Sequence, residues 1–314
     1  MAVIPPPGDQ DAALRARRLE RPETAVKRLD ENPARQPGRL MKRVARRLLW
    51  ATPVWPLLRP RRFHAFCVGP AKTGTVSVKA MFAARYRAGH EAAFREVVEL
   101  VVSRLEGKVS LRSVGRRLRL RDRRLRLEMD SFNQLGLLAD ILSQRFPRAK
   151  FILTVRQPAS WLRSILNQHL NVDVSQRAPE RRLRELLFHP GGVSYGRGDN
   201  FLQQRGLFPL DGYLRAWADH YARVLEAVPA ERLLVVQTDQ LAQSGPVLAR
   251  FLGIPESSID TAHSHMHRCP YDHGVFEALD PEYLREKVSE HCSAVAARLD
   301  RLAGVGVLPS HYRE

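Results

Sequence analysis

The chain has 314 residues, 44% of them apolar, with a formal net charge of +18. That is enough for one large α/β core and too little for two equal domains. No run of about 18 apolar residues occurs, so no transmembrane helix is predicted. The start, Met-Ala-Val-Ile-Pro-Pro-Pro, lacks the charged-then-apolar pattern of a secretory leader, and Cys67, Cys269 and Cys292 are odd in number and widely spaced, without disulfide or metal spacing. Cytoplasmic residence is the expectation.

Residues 1–62 carry fifteen Lys/Arg against six Asp/Glu and are broken by nine prolines, although Leu40–Leu49 is suited to one basic amphipathic helix. They read as an arm, disordered or docked on the domain or a membrane surface. Residues 63–314 read as the α/β domain. Ala65–Val68 is its first strand, Gly69–Thr75 a phosphate-binding turn, and Thr75–Tyr86 the helix whose N-terminus faces that turn. His90 and Glu91 follow at a strand end, before a helix over Ala92–Val102.

A block from Arg112 to Arg126 packs eight arginines around Asp122, with Leu118, Leu120, Leu125 and Leu127 interleaved. It lacks the alternating aromatics of a nucleic-acid module, so nucleic acid is not the expected partner. A solvated basic surface, or one for an anionic acceptor or a membrane, is expected instead. Leu125–Met129 is a strand candidate and Asn133–Phe146 a helix stopped by Pro147. Asp130 and Ser131 either touch the acceptor or, for Asp130, cap the helix near Asn133.

Phe151–Val155 is a β-branched apolar run suited to a strand buried on both faces. It leads into a helix over Pro158–Leu170, with proline in the first turn. Trp161, His169 and His220 on their helices are read as structural. Gly191–Gly198 reads as a mobile loop, Tyr213–Val228 as a helix, Leu233–Gln237 as a strand, Gly245–Leu252 and Glu282–Leu302 as helices. The alternation implies an α/β fold, a mostly parallel sheet flanked by helices, with sites at the strands' C-terminal ends.

Two segments carry the chemistry. A P-loop reads G-x-x-x-x-G-K-[ST], with lysine after the second glycine and a hydroxyl for magnesium. In this chain Gly69 and Gly74 keep the spacing, but Thr75 and Val76 stand in those places and Lys72 lies inside the turn. Backbone N–H groups at a helix N-terminus still suit phosphate. The strand Phe151–Val155 ends in Arg156, where a magnesium-dependent enzyme places a carboxylate. Arg156 can fork two donors onto a phosphate and Ser164 can add a hydroxyl.

Gly69-Pro70-Ala71-Lys72-Thr73-Gly74-Thr75-Val76-Ser77 resembles the 5′-phosphosulfate loop of sulfotransferases, and Arg156-Gln157-Pro158 through Ser164 resembles their 3′-phosphate motif. The likeness spans roughly residues 63–302 and favours bacterial and Golgi-type members with a P-loop-like fold. It implies 3′-phosphoadenosine 5′-phosphosulfate (PAPS) as co-substrate, no metal, and a small-molecule or glycan acceptor. It further implies Lys72 at the leaving group; Thr73, Gly74, Thr75, Val76 and Ser77 on the 5′-phosphate, with the hydroxyls of Thr73, Thr75 and Ser77 contributing; and Arg156 and Ser164 on the 3′-phosphate.

For the base it offers Glu91 or His90, with Glu91 preferred, although Glu91 also suits a carboxylate capping the next helix. The soluble-type C-terminal signature, Arg-Lys-Gly then Gly-Asp-Trp-Lys, is missing, so His265, Arg268 and His273 are candidates to replace it. His263, His265, His267, Cys269 and His273 form either a zinc site or, as preferred, a polar loop at the nucleotide. A P-loop kinase and a non-catalytic anion-binding protein are the alternatives.

Overall fold

The computed structural model describes residues 60–264 and 271–303. Five strands form one sheet: β1 (Ala65–Cys67), β2 (Ala88–His90), β3 (Met129–Ser131), β4 (Lys150–Val155) and β5 (Leu233–Gln237), in the order β2-β3-β1-β4-β5. Every pairing is parallel. Phe66 is flanked by Asp130 and Phe151, so β1 is the central strand.

Alternation along the strands divides the core. Phe66, Val68, Phe151, Leu153 and Val155 face one layer of helices. Ala65, Cys67, Met129, Ile152 and Val236 face the other. The helices are α1 (Thr75–Ala83), α2 (Phe94–Leu105), α3 (Leu111–Leu125), α4 (Asn133–Gly136), α5 (Ala139–Arg145), α6 (Pro158–Asn171), α7 (Ala178–Phe188), α8 (Asn200–Gln204), α9 (Leu210–Ala227), α10 (Gly245–Leu252) and α11 (Pro281–Ala303). Chain leaving β1 runs to β2 on one side, and chain leaving β4 runs to β5 on the other. The adjacent ends of β1 and β4 therefore diverge, and such a switch point leaves a crevice for a ligand.

Several elements differ from the sequence expectation. The strand expected at Leu125–Met129 is Met129–Ser131, because the arginine block is itself a helix ending at Leu125. Val114, Leu118 and Arg121 bury its one face, Ser110 caps its start by accepting from Ser113 N–H, and Arg126 ends it at φ 45°. The helix expected over Asn133–Phe146 is broken into α4 and α5. Helix α7, with Leu183 and Phe188 buried, was not anticipated.

The expected arm lies outside the described residues except at its end. Arg61 donates to the Asp122 carboxylate at 2.6 Å, and Arg62 N–H donates to Glu128 at 2.9 Å. No described helix is long and apolar enough to cross a membrane.

Asp130 caps no helix and does not line the cavity described below. It lies in mid-sheet, 4% exposed, and pairs with the buried Arg121 guanidinium, whose Nη2 donates to Asp130 Oδ1 at 3.1 Å and to Ala92 carbonyl at 2.8 Å. A charge that lies this deep persists only when paired. Asp130→Ala should therefore lower unfolding free energy by about 3–5 kcal/mol, read by urea titration, and the double variant Arg121→Met/Asp130→Leu should recover part of it. Equal loss in both variants would place the stabilisation elsewhere.

Candidate active site

The turn after β1 is shaped by what binds its carbonyls. Thr73 Oγ1 donates to Pro70 carbonyl at 2.7 Å, and Trp161 Nε1 to Ala71 carbonyl at 2.8 Å. Arg156 Nη1 donates to Lys72 carbonyl at 3.3 Å, and Thr238 Oγ1 to Thr73 carbonyl at 2.9 Å. These bonds, one from within the turn and three from outside it, fix the peptide planes of the turn, several of whose residues line a cavity. The first N–H groups of α1 add to that lining, since they have no acceptor within the helix.

Two glycines are obligatory. A Cβ on Gly69 would lie 2.0 Å from Thr154 Oγ1, and one on Gly74, whose φ is 92°, would lie 2.5 Å from a Leu241 methyl. Lys72 also takes a left-handed backbone, φ 69°, a cost that a non-glycine residue bears only where surroundings over-determine it.

One helix holds both strand ends. Trp217, His220 and Tyr221 lie three and four residues apart on the buried face of α9. His220 Nε2–H donates to Val68 carbonyl at 2.7 Å, and Trp217 Nε1 donates to Arg156 carbonyl at 3.1 Å. Tyr221 hydroxyl accepts from Arg156 N–H at 3.3 Å and donates to Thr154 carbonyl at 3.2 Å. Burial lowers the His220 pKa to about 4, so a neutral imidazole with its proton on Nε2 makes this contact. Gly136 lets the ring approach, for a Cβ there would lie 2.4 Å from His220 Nε2.

Between the turn, α6 and the segment after β5 lies a cavity of 640 Å³. Lys72, Gly74, Thr75, Val76, Ser77, Arg156 and Ser164 all line it, so the two motifs far apart in sequence meet in one space. Burial pulls the Arg156 guanidinium below its ordinary value, but from so high a start that it stays cationic. Arg156 Nε also donates to Ser160 Oγ at 2.9 Å, which fixes the fork along the start of α6.

Thr73 departs from expectation. Its side chain is fully buried and turns into the sheet, where its oxygen shares a 2.7 Å hydrogen bond with Thr154 Oγ1. Its hydroxyl is therefore a brace for the turn and does not reach the cavity.

His90 and Glu91 lie at the end of edge strand β2, outside the cavity lining. His90 Nε2 and Thr75 Oγ1 share a hydrogen bond at 3.3 Å, and Ser131 Oγ donates to Thr75 carbonyl at 2.6 Å. Ser131 thus braces α1 instead of meeting an acceptor. Glu91 N–H donates to Ser131 carbonyl at 3.1 Å, and its φ of 52° turns the chain out of the strand. No ion pair engages the Glu91 carboxylate among the described residues, and burial raises its pKa above the ordinary carboxyl value. It does not cap the following helix, whose start at Ala93 has no side-chain cap.

Arg268, like His265, His267 and Cys269, lies outside the described residues. The flanking Ser264, Tyr271 and Asp272 line the cavity, and Asn167 on α6 holds the segment by donating to Asp272 Oδ1 at 3.0 Å and accepting from His273 N–H at 2.8 Å. His263 bonds to Asp260 and His273 to Asn171. Among the described residues only Asp211, Glu290 and His291 bring ligand atoms close enough for a metal. There Lys287 Nζ already sits 3.2 Å from Asp211 and 2.9 Å from Glu290, so the cluster is an ion-pair network.

Sequence reasoning overlooked Thr238, which bonds both the turn and Val155 carbonyl at 2.9 Å, and Asp239 beside it in the cavity. Their position directly after the expected strand Leu233–Gln237 was the available signal.

A family model described as a sulfotransferase domain matches residues 64–268. Among solved structures, that of a sulfotransferase from Alicyclobacillus acidocaldarius is similar over 82% of this chain and 99% of that chain, at 20% identity and a TM-score of 0.44. No curated protein matches.

Because its folded-state pKa is raised, Glu91 binds its proton more tightly in the folded protein than in the unfolded one. Its ionisation therefore subtracts stability as pH climbs past the unfolded carboxyl value. Glu91→Gln should melt at a higher temperature than wild type near neutral pH, and the gain should vanish in acid, where the wild-type carboxyl is protonated in both states. Thermal melts across pH check this; a lower melting temperature at neutral pH would contradict the burial account.

Proposed function

The chain belongs to the sulfotransferase domain family, and on that premise we propose that it moves the sulfuryl group of PAPS to an acceptor hydroxyl or amine, without a metal. The observation that carries this reading is the single cavity in which Lys72, Arg156 and Ser164 converge on the glycine turn. Its 640 Å³ is the size of a small-molecule site. The turn and the start of α1 contribute Gly74, Thr75, Val76 and Ser77 to the lining, and the N–H groups at that helix start suit a phosphate there. Asp239 in the same cavity places a negative charge near Arg156, and it suits a ribose hydroxyl or ring nitrogen better than a phosphate.

Bound in this cavity, PAPS supplies an activated sulfuryl group for in-line displacement. The chain's own residues divide the remaining work into positioning, charge stabilisation and removal of one proton. The turn and the first N–H groups of α1, with Thr75 and Ser77, hold the 5′-phosphate. Arg156 and Ser164 grip the 3′-phosphate, the group that separates this nucleotide from ATP. Lys72, held in its strained conformation, puts an ammonium where the leaving group gathers charge.

Glu91 is our candidate for taking the acceptor's proton: it lies outside the cavity lining but next to His90, which bonds the cavity residue Thr75. Burial has brought its pKa closer to working pH, where a base couples proton uptake most effectively to attack. His90 keeps the first turn of α1 in place through Thr75.

Thermal-shift titration tests the cofactor assignment directly. 3′,5′-Bisphosphoadenosine should raise the melting temperature more than ATP with magnesium does; stabilisation by ATP with magnesium alone would overturn the proposal in favour of a kinase. Arg156→Ala should weaken bisphosphoadenosine binding by roughly 10- to 100-fold, the worth of charge-assisted hydrogen bonds. Lys72→Ala should leave that affinity nearly intact while lowering kcat by roughly 100-fold or more. Turnover should survive EDTA, and Glu91→Gln should abolish the acid limb of the kcat profile along with most of the rate.

A further inference from the structure

The arginine block is a surface of its own, separate from the nucleotide cavity. At roughly 100° per residue, Arg112, Arg116, Arg119 and Arg123 fall within an arc of about 60° on α3 and extend along about 16 Å of its length. That arc lies across the helix from Val114, Leu118 and Arg121, which are buried against the domain. A fifth guanidinium joins it from α5. A Cβ on Gly115 would lie 2.5 Å from Arg145 Nε, so the glycine lets the Arg145 side chain lie flat against α3. Together with Leu120 these five arginines line a shallow cleft of 310 Å³.

Two neighbouring arginines are neutralised and these five are not. Arg121 pairs with Asp130 and Arg124 with Glu96, but among the described residues no carboxylate pairs with any of the five. Like charges at four-residue spacing repel one another. A row of five therefore stores repulsion that an anionic partner relieves. Guanidinium forks suit the paired oxygens of phosphates in particular.

One leucine separates one polyanion from another. Leu120 is 58% exposed and lies within the cleft. A soluble polyanion makes no use of it, whereas at a lipid surface it reaches below the phosphates to which arginines bind. The cleft has no aromatic ring on which a nucleic-acid base could stack. The stripe also lies along the outer side of the helix, so a flat surface can meet all of it at once.

We propose that this face of α3, with Arg145, docks the protein onto an anionic phospholipid membrane. Co-sedimentation of the full chain with vesicles tests it. Binding to equimolar phosphatidylcholine and phosphatidylglycerol should exceed binding to phosphatidylcholine alone and should fade with added salt. The triple variant Arg116→Ala/Arg119→Ala/Arg123→Ala should weaken that binding by roughly 100-fold, while its thermal shift with 3′,5′-bisphosphoadenosine stays at the wild-type value. Leu120→Ser should weaken what binding remains at high salt. Equal vesicle binding by wild type and the triple variant would overturn the proposal, and so would an arginine-dependent preference for heparin or single-stranded DNA over the vesicles.

Discussion

Four consecutive carbonyls, those of Pro70, Ala71, Lys72 and Thr73, accept hydrogen bonds from side chains around the turn, and this decides which edge of the backbone faces the cavity. A peptide unit cannot direct both of its polar edges to one side. Anchoring the oxygens fixes the N–H edges as well, and one of the anchors is the Arg156 guanidinium itself. Arg156 thus shapes the turn and, with Lys72, lines the cavity beside it. The left-handed Lys72 and the crowded Gly69 are the local cost of that shape, borne because the anchors come from four directions.

The opposite margin of the site obeys a different logic. Around the turn four carbonyls are matched by side chains, whereas Glu91 is half-buried with no ion pair among the described residues, and burial alone moves its pKa. A matched carboxylate would be a stronger structural element and a weaker base. On the proposed function, the tension between stability and activity is concentrated in one residue at the end of an edge strand, where a change of backbone direction does little harm to the sheet.

What was legible in the sequence follows from where each signal originates. The central strands announced themselves because burial on both faces demands continuous apolar runs, as in Phe151–Val155. Gly69, Lys72, Gly74, Arg156 and Ser164 were legible because their spacing is local. Helix α3 was not, since arginines outnumber its apolar residues and one of its buried residues, Arg121, is itself charged. Its burial is permitted by Asp130, and nothing near Asp130 in the sequence marks it as a partner instead of a ligand or a cap. Thr73 misled for a related reason. Its hydroxyl stands in a phosphate motif but is claimed by Thr154, eighty-one residues on.

The anchors of the turn also have a bearing on how the protein folds. They come from the turn itself, from α6, from the end of β4 and from the residue after β5, while α9 holds the ends of β1 and β4. No fragment that ends before β5 contains the full set. On a ribosome the N-terminal half would carry every glycine of the phosphate turn and yet lack the means to orient it. On the proposed function, affinity for the nucleotide would therefore emerge late and all at once, and a bound nucleotide would act as a clasp on the whole domain, resisting the separation of segments that are synthesised far apart in time.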